Sequence, residues 1–213
     1  MKRPAEIAYD FIKERILEGI YYPSQKLIEN DLALEIGVSR NTVKKALLKL
    51  EQENLIVMEN NKGATIKAFT LDEINNYLKI REVLEGLITA DAAANITDAD
   101  VVELEKIVEQ MRIDLAQQNF DAYSQGNLKF HEIIYKASNN QQAVDLVKII
   151  KQQLKRLQFK TILVPGRNEN SFKEHSDILS ALRNREVELS EHLVKKHVAN
   201  VRETILQNYN VLN

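Results

Sequence analysis

The sequence contains no cysteine, and this absence removes several classes of chemistry at once. A chain without cysteine has no disulfide framework, no thiolate metal ligand and no cysteine nucleophile. It also has no run of about 18 apolar residues, which a membrane-spanning helix would need. The charged N-terminal stretch lacks the apolar core of a signal peptide. We therefore expect a cytoplasmic protein with no membrane-spanning segment.

Glycine and proline are also scarce, with six and three among 213 residues, which leaves room for long helices. Excess positive charge is absent as well, because 29 lysines and arginines face 31 acids and the pI is near 6.1. Such a balance excludes a general affinity for polyanions, so any nucleic-acid binding has to come from a local patch. What is present, 44% hydrophobic and 28% charged residues, is typical of a soluble globular protein.

Residues 1–70 carry the pattern of a small helical domain that ends in a hairpin. Helical periodicity predicts helices over residues 5–18, 27–36 and 40–53. The apolar positions of the second helix are Leu27, Leu32, Leu34 and Ile36. Two β-prone runs, LIVM and ATIKAF, flank a polar turn and indicate a hairpin. Helix, helix, turn, helix and hairpin is the order of a winged helix-turn-helix.

The third predicted helix holds the local charge that the whole chain lacks. Gly37 suits the end of the second helix, and Ser39 is a good N-cap for the third. Between residues 38 and 50 four cations occur without an acid, namely Arg40, Lys44, Lys45 and Lys49. A cationic helix alone is more often an ordinary solvated surface. With the glycine turn, the serine cap and a hairpin that carries nearby lysines, it predicts a helix that enters the major groove of DNA.

After Thr70 the pattern becomes continuously helical. Thr70 and Glu73 have capping-box spacing, and about six helical segments follow without convincing strand alternation. We interpret residues 71–213 as an antiparallel all-α bundle and residues 1–70 as a separate domain, so the fold class is mainly α. From this pattern alone, a bundle that only dimerises is the simplest interpretation of the second domain.

All four histidines of the chain occur in the predicted bundle. Asn127 and His131 are four residues apart and share one helix face. His192 and His197 are five residues apart, about 140° around a helix, so both cannot point inward. Together with His175, three imidazoles from three helices could converge, and such a donor set suits zinc or nickel. Single helical histidines, however, are more often surface residues or satisfied core residues.

The segment LIENDLALEIGVSRNTVKKALLKL, with the hairpin that follows it, resembles the DNA-binding domain of the GntR family of bacterial transcriptional regulators. The resemblance covers about residues 5–69 and implies binding of double-stranded DNA by the third helix and the wing. The implied DNA contacts are Asn30, Ser39, Arg40, Asn41, Thr42, Lys44 and Gly63, with Lys45 and Lys62 close to phosphates. The family's usual second arginine is Lys44 here, which keeps the charge but loses the bidentate fork.

The segments REVLEGLITADAAA, NLKFHEIIYKASNN and EHSDILSALRNREVELSEHLVKKHV are similar to the FCD ligand-binding domain of the FadR branch of that family. This second resemblance covers about residues 72–209 and implies a divalent metal, zinc or nickel, inside the bundle. The implied ligands are Asn127, His131, His175 and His197. Asparagine stands where the family has aspartate, so the ligand set loses one negative charge. Open coordination positions would take water or an effector carboxylate, for which Arg81 and Arg156 are candidate partners.

Together the resemblances identify a transcriptional regulator, not an enzyme, whose operator affinity responds to a small organic acid. We expect a homodimer, because a two-fold protein matches a palindromic operator. Three alternatives compete with this interpretation: a GntR regulator of the HutC branch with a strand-rich effector domain, a bundle that only dimerises, and a metal-dependent hydrolase. For hydrolysis, Glu132 and Glu174 adjoin histidines, but neighbouring helical residues diverge, so we expect neither to aim at the metal.

Overall fold

The structure of the chain is a computed structural model that describes the backbone of residues 2–59 and 63–212, without the side chains of residues 59, 156–160 and 210–212. The described residues form nine helices and three strands, and the predicted mainly α fold class is confirmed. The chain divides into two compact units, Met1–Thr70 and Leu71–Asn213. The elements are α1 Pro4–Leu17, β1 Lys26–Leu27, α2 Glu29–Ile36, α3 Arg40–Gln52, β2 Ile56–Glu59, β3 Gly63–Ile66, α4 Leu71–Asn95, α5 Asp98–Ala116, α6 Phe120–Ala137, α7 Gln141–Thr161, α8 Arg167–Arg183 and α9 Val187–Leu212.

The first unit is a winged helix-turn-helix, as predicted. The helices α1 and α2 both pack on α3, and a three-stranded antiparallel sheet of order β1-β3-β2 completes the unit. In the hairpin, Val57 of β2 lies opposite Thr65 of β3. Every element contributes to one apolar core, whose fully buried members include Ala8, Ile12, Val43, Leu47, Leu50 and Ile56. This core fixes α3 with its polar side outward, which is the orientation a DNA-reading helix needs.

The beginning of the second helix differs from the prediction. Leu27 belongs to β1, where it lies opposite Ala64, and α2 begins only at Glu29. A strand of two residues is too short to produce an alternation in the sequence, so the pattern could not reveal it. Leu34 was predicted on the apolar face but is 83% exposed. The reason is that it lies two positions, about 200° around the helix, from the buried Leu32.

The turn between α2 and α3 is set by two residues that the sequence indicated. Gly37 has a φ of 75°, and the N–H groups of Gly37 and Val38 both donate to the carbonyl oxygen of Ala33. The Ser39 hydroxyl then accepts a hydrogen bond of 3.2 Å from the N–H of Thr42. An N-cap of this kind stabilises a helix by about 1 kcal/mol. The turn therefore gives α3 a fixed starting point.

The wing depends on Gly63, the first residue of β3. Its φ is 89°, in the left-handed region that favours glycine, and an added Cβ would lie 2.7 Å from the Leu27 carbonyl oxygen. The short strand β1 therefore passes too close for any side chain at this position. Gly63 has a structural requirement that is independent of any contact with DNA.

The second unit is a helical bundle built around α4. This helix packs along α9 and also contacts α6, α7 and α8, while α5 packs on α6 and α8. The core is mostly aliphatic and includes the fully buried Phe130. Thr97 and Asp100 form a capping box at the beginning of α5. Across residues 2–59 and 63–212, no helix combines the length and the apolar character needed to span a membrane.

Candidate functional site

The residues predicted to contact DNA are nearly all exposed in the first unit. Arg40 and Asn41 begin α3, at the helix end that reads bases in this fold. Thr42 is half-buried, because its N–H and hydroxyl both meet Ser39. The exposed members of the predicted set are Asn30, Ser39, Arg40, Asn41, Lys44 and Lys45. Lys62 lies outside the described residues, and the half-buried Gly63 stands directly after it.

Arg40 is held by an acid from the preceding helix. Its Nε donates a hydrogen bond of 2.6 Å to Oε2 of Glu29, the first residue of α2. The Glu29 side chain is only 12% exposed, whereas that of Arg40 is 69% exposed. The acid is therefore a fixed anchor, and the guanidinium extends from it into solvent. The other guanidinium nitrogens remain directed outward, where a guanine or a phosphate would be recognised.

Lys49 is exposed like the other cations of α3, but it contacts an aromatic ring of α1. Its ammonium group lies 3.8 Å from the centroid of the Tyr9 ring on α1. The Tyr9 hydroxyl in turn donates to Glu53, which also accepts from Lys13. Lys49 therefore packs over α1 and joins the end of α3 to that helix. The exposed cations of α3 for which no contact with α1 is found among the described residues are Arg40, Lys44 and Lys45.

In the second unit, three of the four predicted metal ligands converge in the core. His131 on α6, His175 on α8 and His197 on α9 are 1%, 0% and 3% exposed. One ring nitrogen from each histidine lies within 4.8 Å of the others. His192, five positions before His197 on the same helix, is exposed instead. The bundle thus brings together residues that are far apart in the sequence.

Two of these imidazoles are oriented by carboxylates. His197 Nδ1 lies 2.6 Å from Oε2 of Glu174, and His131 Nδ1 lies 3.3 Å from Oε2 of Glu85. A carboxylate beside Nδ1 favours the tautomer with its proton there, so that the lone pair is on Nε2. The Nε2 atoms are then available as metal ligands. This pairing of a ligand histidine with a carboxylate is typical of metal sites.

His175 is oriented by the backbone of its own helix. Its Nδ1 donates a hydrogen bond of 2.6 Å to the carbonyl oxygen of Ser171. The Nε2 atoms of His131 and His175 are buried and have no hydrogen-bond partner among the described residues. Buried polar atoms without partners are rare in folded proteins, because each one costs its lost solvation. Two such acceptors in one cluster therefore call for a ligand between them.

Burial also keeps the three imidazoles in the form that binds metals. Burial lowers the pKa of His131 to about 4, of His175 to about 3 and of His197 to about 4. The positive charge of Lys151 lowers the pKa of His131 further. All three rings are consequently neutral near pH 7, and a neutral imidazole offers its lone pair without first losing a proton.

Asn127 is the fourth predicted ligand, and its surroundings fit that role. It lies one turn before His131 on α6, and its Oδ1 is buried without a partner among the described residues. Asn127 and His197 line the same cavity. Three imidazole nitrogens and one amide oxygen form a neutral donor set that suits a borderline ion such as zinc or nickel. The residues present therefore fit the divalent metal that the sequence led us to expect.

The cavity beside the histidines has a volume of about 280 Å³ and a strongly cationic lining. Among the described residues, five basic side chains line it, and Glu132 is the only acid. The basic residues are Arg81, Lys148, Lys151, Lys155 and Arg167. This excess of positive charge is local, because the unit from residue 71 onward holds 18 lysines and arginines against 21 acids. The cavity is therefore suited to a small anion.

The two arginines predicted to bind an effector have different outcomes. Arg81 does line the cavity, but its Nε donates a 2.5 Å hydrogen bond to Glu85, so part of its charge is already used. The side chain of Arg156 lies outside the described residues. Sequence reasoning missed Arg167 and Lys151, both of which line the cavity. Neither carries a sequence signal beyond its charge on a helix.

Glu174 was expected not to aim at the metal. It diverges from its sequence neighbour His175 and instead contacts Nδ1 of His197 on the following helix. Burial by itself raises the pKa of Glu174, but the hydrogen bond from His197 and the charge of Arg167 lower the pKa to about 2. Glu132 is exposed and pairs with Lys148 at 3.6 Å. Neither acid is arranged as a general base, and this disfavours the hydrolase alternative.

Two family profiles together match most of the chain. Residues 4–66 match the profile described as bacterial regulatory proteins, gntR family, and residues 76–200 match the FCD domain. The first match coincides with the winged helix-turn-helix, and the second includes all three buried histidines. The strand-rich effector domain of the HutC alternative is excluded by the second match and by the six helices of the described second unit.

Curated relatives and solved structures agree with these profiles. The chain is 24% identical over 199 residues to the HTH-type transcriptional repressor RspR of Escherichia coli K12, covering 93% of this chain and 87% of the relative. It is 31% identical over 129 residues to the gluconate operon transcriptional repressor of Bacillus licheniformis, covering 61% and 53%. Among solved structures, E. coli McbR/YncC has a TM-score of 0.75 at 20% identity, covering 100% of this chain and 98% of that one.

Proposed function

The chain belongs to the GntR family of bacterial regulatory proteins and has an FCD domain as its helical unit, and we propose that it is a metal-dependent repressor. It is a DNA-binding transcriptional regulator, not an enzyme. The further proposal is that a small organic acid, bound beside a zinc or nickel ion in the FCD domain, controls its affinity for an operator in the cytoplasm. Relatives that are named repressors support the direction of regulation.

The observation that carries the proposal is the convergence of three buried, neutral imidazoles on one point. The Nδ1 atoms of His175 and His197 are hydrogen-bonded to Ser171 and Glu174, and Nδ1 of His131 lies 3.3 Å from Glu85. Two of the Nε2 atoms have no partner among the described residues. His131, His175, His197 and Asn127 would hold the ion. A bound divalent cation supplies positively charged positions for oxygen ligands, such as those of an acid in the adjoining cavity.

DNA binding is proposed for the exposed side of α3 and for the wing. Arg40 and Asn41 would read base edges in the major groove, while Lys44, Lys45 and Lys62 would pair with phosphates. Ser39 and Thr42 would support the helix end, with Asn30 and Gly63 at its flanks. Their exposure and charge support this assignment, since exposed donors at the end of a recognition helix are what base readout requires.

A homodimer on a palindromic operator completes the proposal. An apolar stripe on α4 supports it, because Ile80, Val83 and Leu87 recur at helical spacing and are 50%, 62% and 48% exposed. Exposed apolar side chains in a row are typical of protein–protein contacts.

Effector binding would then favour one relative placement of the two DNA-binding units of the dimer. Operator affinity would change because the population shifts between two arrangements.

Metal analysis of purified protein tests the proposal most directly. Protein purified without chelator should contain close to one zinc or nickel ion per chain, measured by inductively coupled plasma mass spectrometry. His131→Ala should lose the ion, because it removes a ligand. His192→Ala is the matched control: it removes an exposed histidine outside the cluster and should retain the ion. A wild-type protein without metal, and without a thermal shift on adding zinc or nickel, would establish the alternative of a bundle that only dimerises.

Operator binding tests the regulatory part. Duplexes selected by the protein from a random library should be released, or bound less tightly, when a small organic acid is added to the metal-loaded protein. The same acid should have no effect on the His131→Ala protein, provided that circular dichroism shows an intact helical fold. An acid response that is unchanged in the variant would contradict a role for the metal in regulation.

A further inference from the structure

The chain places a row of lysines along the cavity wall formed by α7. Lys148, Lys151 and Lys155 follow one another at spacings of three and four residues, so they share one helix face, and all three line the cavity. Positive charges on a shared helix face repel one another, and a nearby anion relieves this repulsion. The row is therefore a candidate for contact with the effector.

Lys151 is the member of the row with the clearest environment. Its ammonium group donates a 3.2 Å hydrogen bond to the Tyr135 hydroxyl and lies 5.1 Å from the centroid of that ring. The structure has no ion pair of Lys151 with an acid within the described residues. Burial accordingly lowers the pKa of Lys151 to about 8, despite the nearby charge of Glu85. Lys151 is a half-buried cation that has no direct counter-ion among the described residues.

Arg167 is the second cation with unused capacity. Its Nη2 donates a 2.9 Å hydrogen bond to Oε2 of Glu174, but its Nη1 is buried without a partner in the described part of the chain. The residue is 7% exposed and stands at the first position of α8, on the cavity wall. An unpartnered guanidinium N–H in a cavity is a donor directed at a ligand.

These two cations are connected to different histidines of the cluster. Lys151 contacts Tyr135, whose ring centroid lies 6.0 Å from that of His131. Arg167 contacts Glu174, which is hydrogen-bonded to His197. The point on which the histidines converge is thus flanked by one cation on the His131 side and another on the His197 side. A ligand with a single acid group has one position to occupy, whereas this arrangement offers two.

We propose, on the basis of the proposed function, that the effector is a small dianion whose two acid groups reach Lys151 and Arg167 beside the metal position. Lys151 has no ion pair with an acid among the described residues, and Arg167 keeps a buried Nη1 donor without a partner there. Two negative groups would engage both cations, whereas one would engage only one of them. A volume of about 280 Å³ suits an acid with a short carbon chain. The second acid group is a carboxylate or a phosphoryl group, since lysine binds both.

The test compares three acids of similar length on the zinc-loaded full chain by isothermal titration calorimetry. Succinate carries two carboxylates, 3-phosphonopropionate carries a carboxylate and a phosphonate, and butyrate carries one carboxylate. At least one of the two dianions should bind roughly tenfold more tightly than butyrate, because each desolvated ion pair contributes strongly. The stronger of the two identifies the second acid group.

Variants of Lys151 locate the effect. Lys151→Gln should lower the affinity for the dianion more than the affinity for butyrate and so remove most of the dianion preference, while Lys151→Arg should keep the preference because it keeps the charge. Lys136→Gln is the matched control, since it removes an exposed lysine on α6 that does not line the cavity. Zinc-dependent binding of all three acids with equal affinity, or a dianion preference that survives Lys151→Gln, would overturn the inference and leave the proposed function standing. Failure of all three acids to bind would refute both.

Discussion

The two units of this protein use their functional residues in opposite ways. In the winged helix-turn-helix, the candidate contacts are exposed and mostly consecutive, from Ser39 to Lys45. In the FCD domain, the candidate ligands are buried and come from α6, α8 and α9. The first surface binds a partner that approaches from outside, so it needs donors and charge. The second needs an interior position whose surroundings are already arranged.

This difference determines what each unit must do before its partner binds. On α3, one acid positions one arginine, and the remaining cations stay in water. In the bundle, every imidazole already has a partner at Nδ1 and has lost its solvent. Preorganisation is therefore slight at the DNA surface and extensive at the metal position. The predictions that follow test this contrast, beginning with the largest expected effect.

Zinc should stabilise the FCD domain and leave the DNA-binding unit unchanged. A free zinc concentration one hundred times the dissociation constant is expected to stabilise the folded FCD domain by about 2.7 kcal/mol, because the ligand set exists only in the folded state. Hydrogen exchange followed by mass spectrometry measures each unit separately. Protection should increase in residues 71–213 and should not change in residues 1–70. Equal protection in both units would contradict a metal effect confined to the bundle.

Arg40→Ala should weaken binding to a specific operator by roughly 1–3 kcal/mol, because it removes the candidate bidentate contact to a base. Fluorescence anisotropy with a labelled, selected duplex gives the affinity. Arg112→Ala is the control, since this exposed arginine of the FCD domain pairs only with Glu109 in the described structure. An unchanged affinity of the Arg40 variant would mean that another residue reads the operator.

Glu29→Gln should reduce the preference for the specific operator over random DNA by about fivefold. This effect is near the largest free energy that a partly exposed ion pair contributes. Without the carboxylate, Arg40 loses its fixed orientation, so specific affinity falls, while the loss of a negative charge raises affinity for random DNA. The ratio of specific to non-specific affinity measures both effects. Glu35→Gln removes the same charge from α2 but leaves the Arg40 contact intact. If both variants lower the ratio equally, charge alone accounts for the result.

Lys45→Ala should change mainly the salt dependence. Loss of one phosphate contact lowers the slope of log affinity against log salt by about 0.9. Lys49→Ala should leave that slope nearly unchanged, because the Lys49 ammonium lies over the Tyr9 ring. The same titration in sodium chloride measures both variants. A larger slope change for Lys49 than for Lys45 would reverse the assignment of the exposed side of α3.

The sequence predicted best what is determined locally. Gly37 and Ser39 act within four residues of their positions, so the sequence predicted the turn and the beginning of α3. The fold types of the two units followed from the order of the predicted helices and strands. The strand β1 was missed because its two residues are defined by pairing with β3, which the local pattern does not contain. Leu34 was misplaced because a two-turn helix gives a weak periodic signal.

The candidate metal site was only partly predictable for the same reason. The three histidines were found through a family resemblance, and the structure places them together. Glu85 was given no role from the sequence. It is buried beside Arg81, and acids are seldom buried without a partner, but its burial becomes visible only in the structure. The contact of Glu174 with His197 was not predicted, because the two residues are on different helices. Partners across helices depend on packing, and no spacing rule within one helix reveals them.

One helix of the bundle concentrates the site to an unusual degree. Within the nine positions from Arg167 to His175, α8 supplies a cavity cation, the backbone acceptor for His175, the carboxylate for His197 and one candidate ligand. One short stretch of the gene therefore contributes to both effector recognition and the candidate metal site. Substitutions within it are expected to alter both properties together, so it is a natural segment to randomise when a sensor with a new input is wanted.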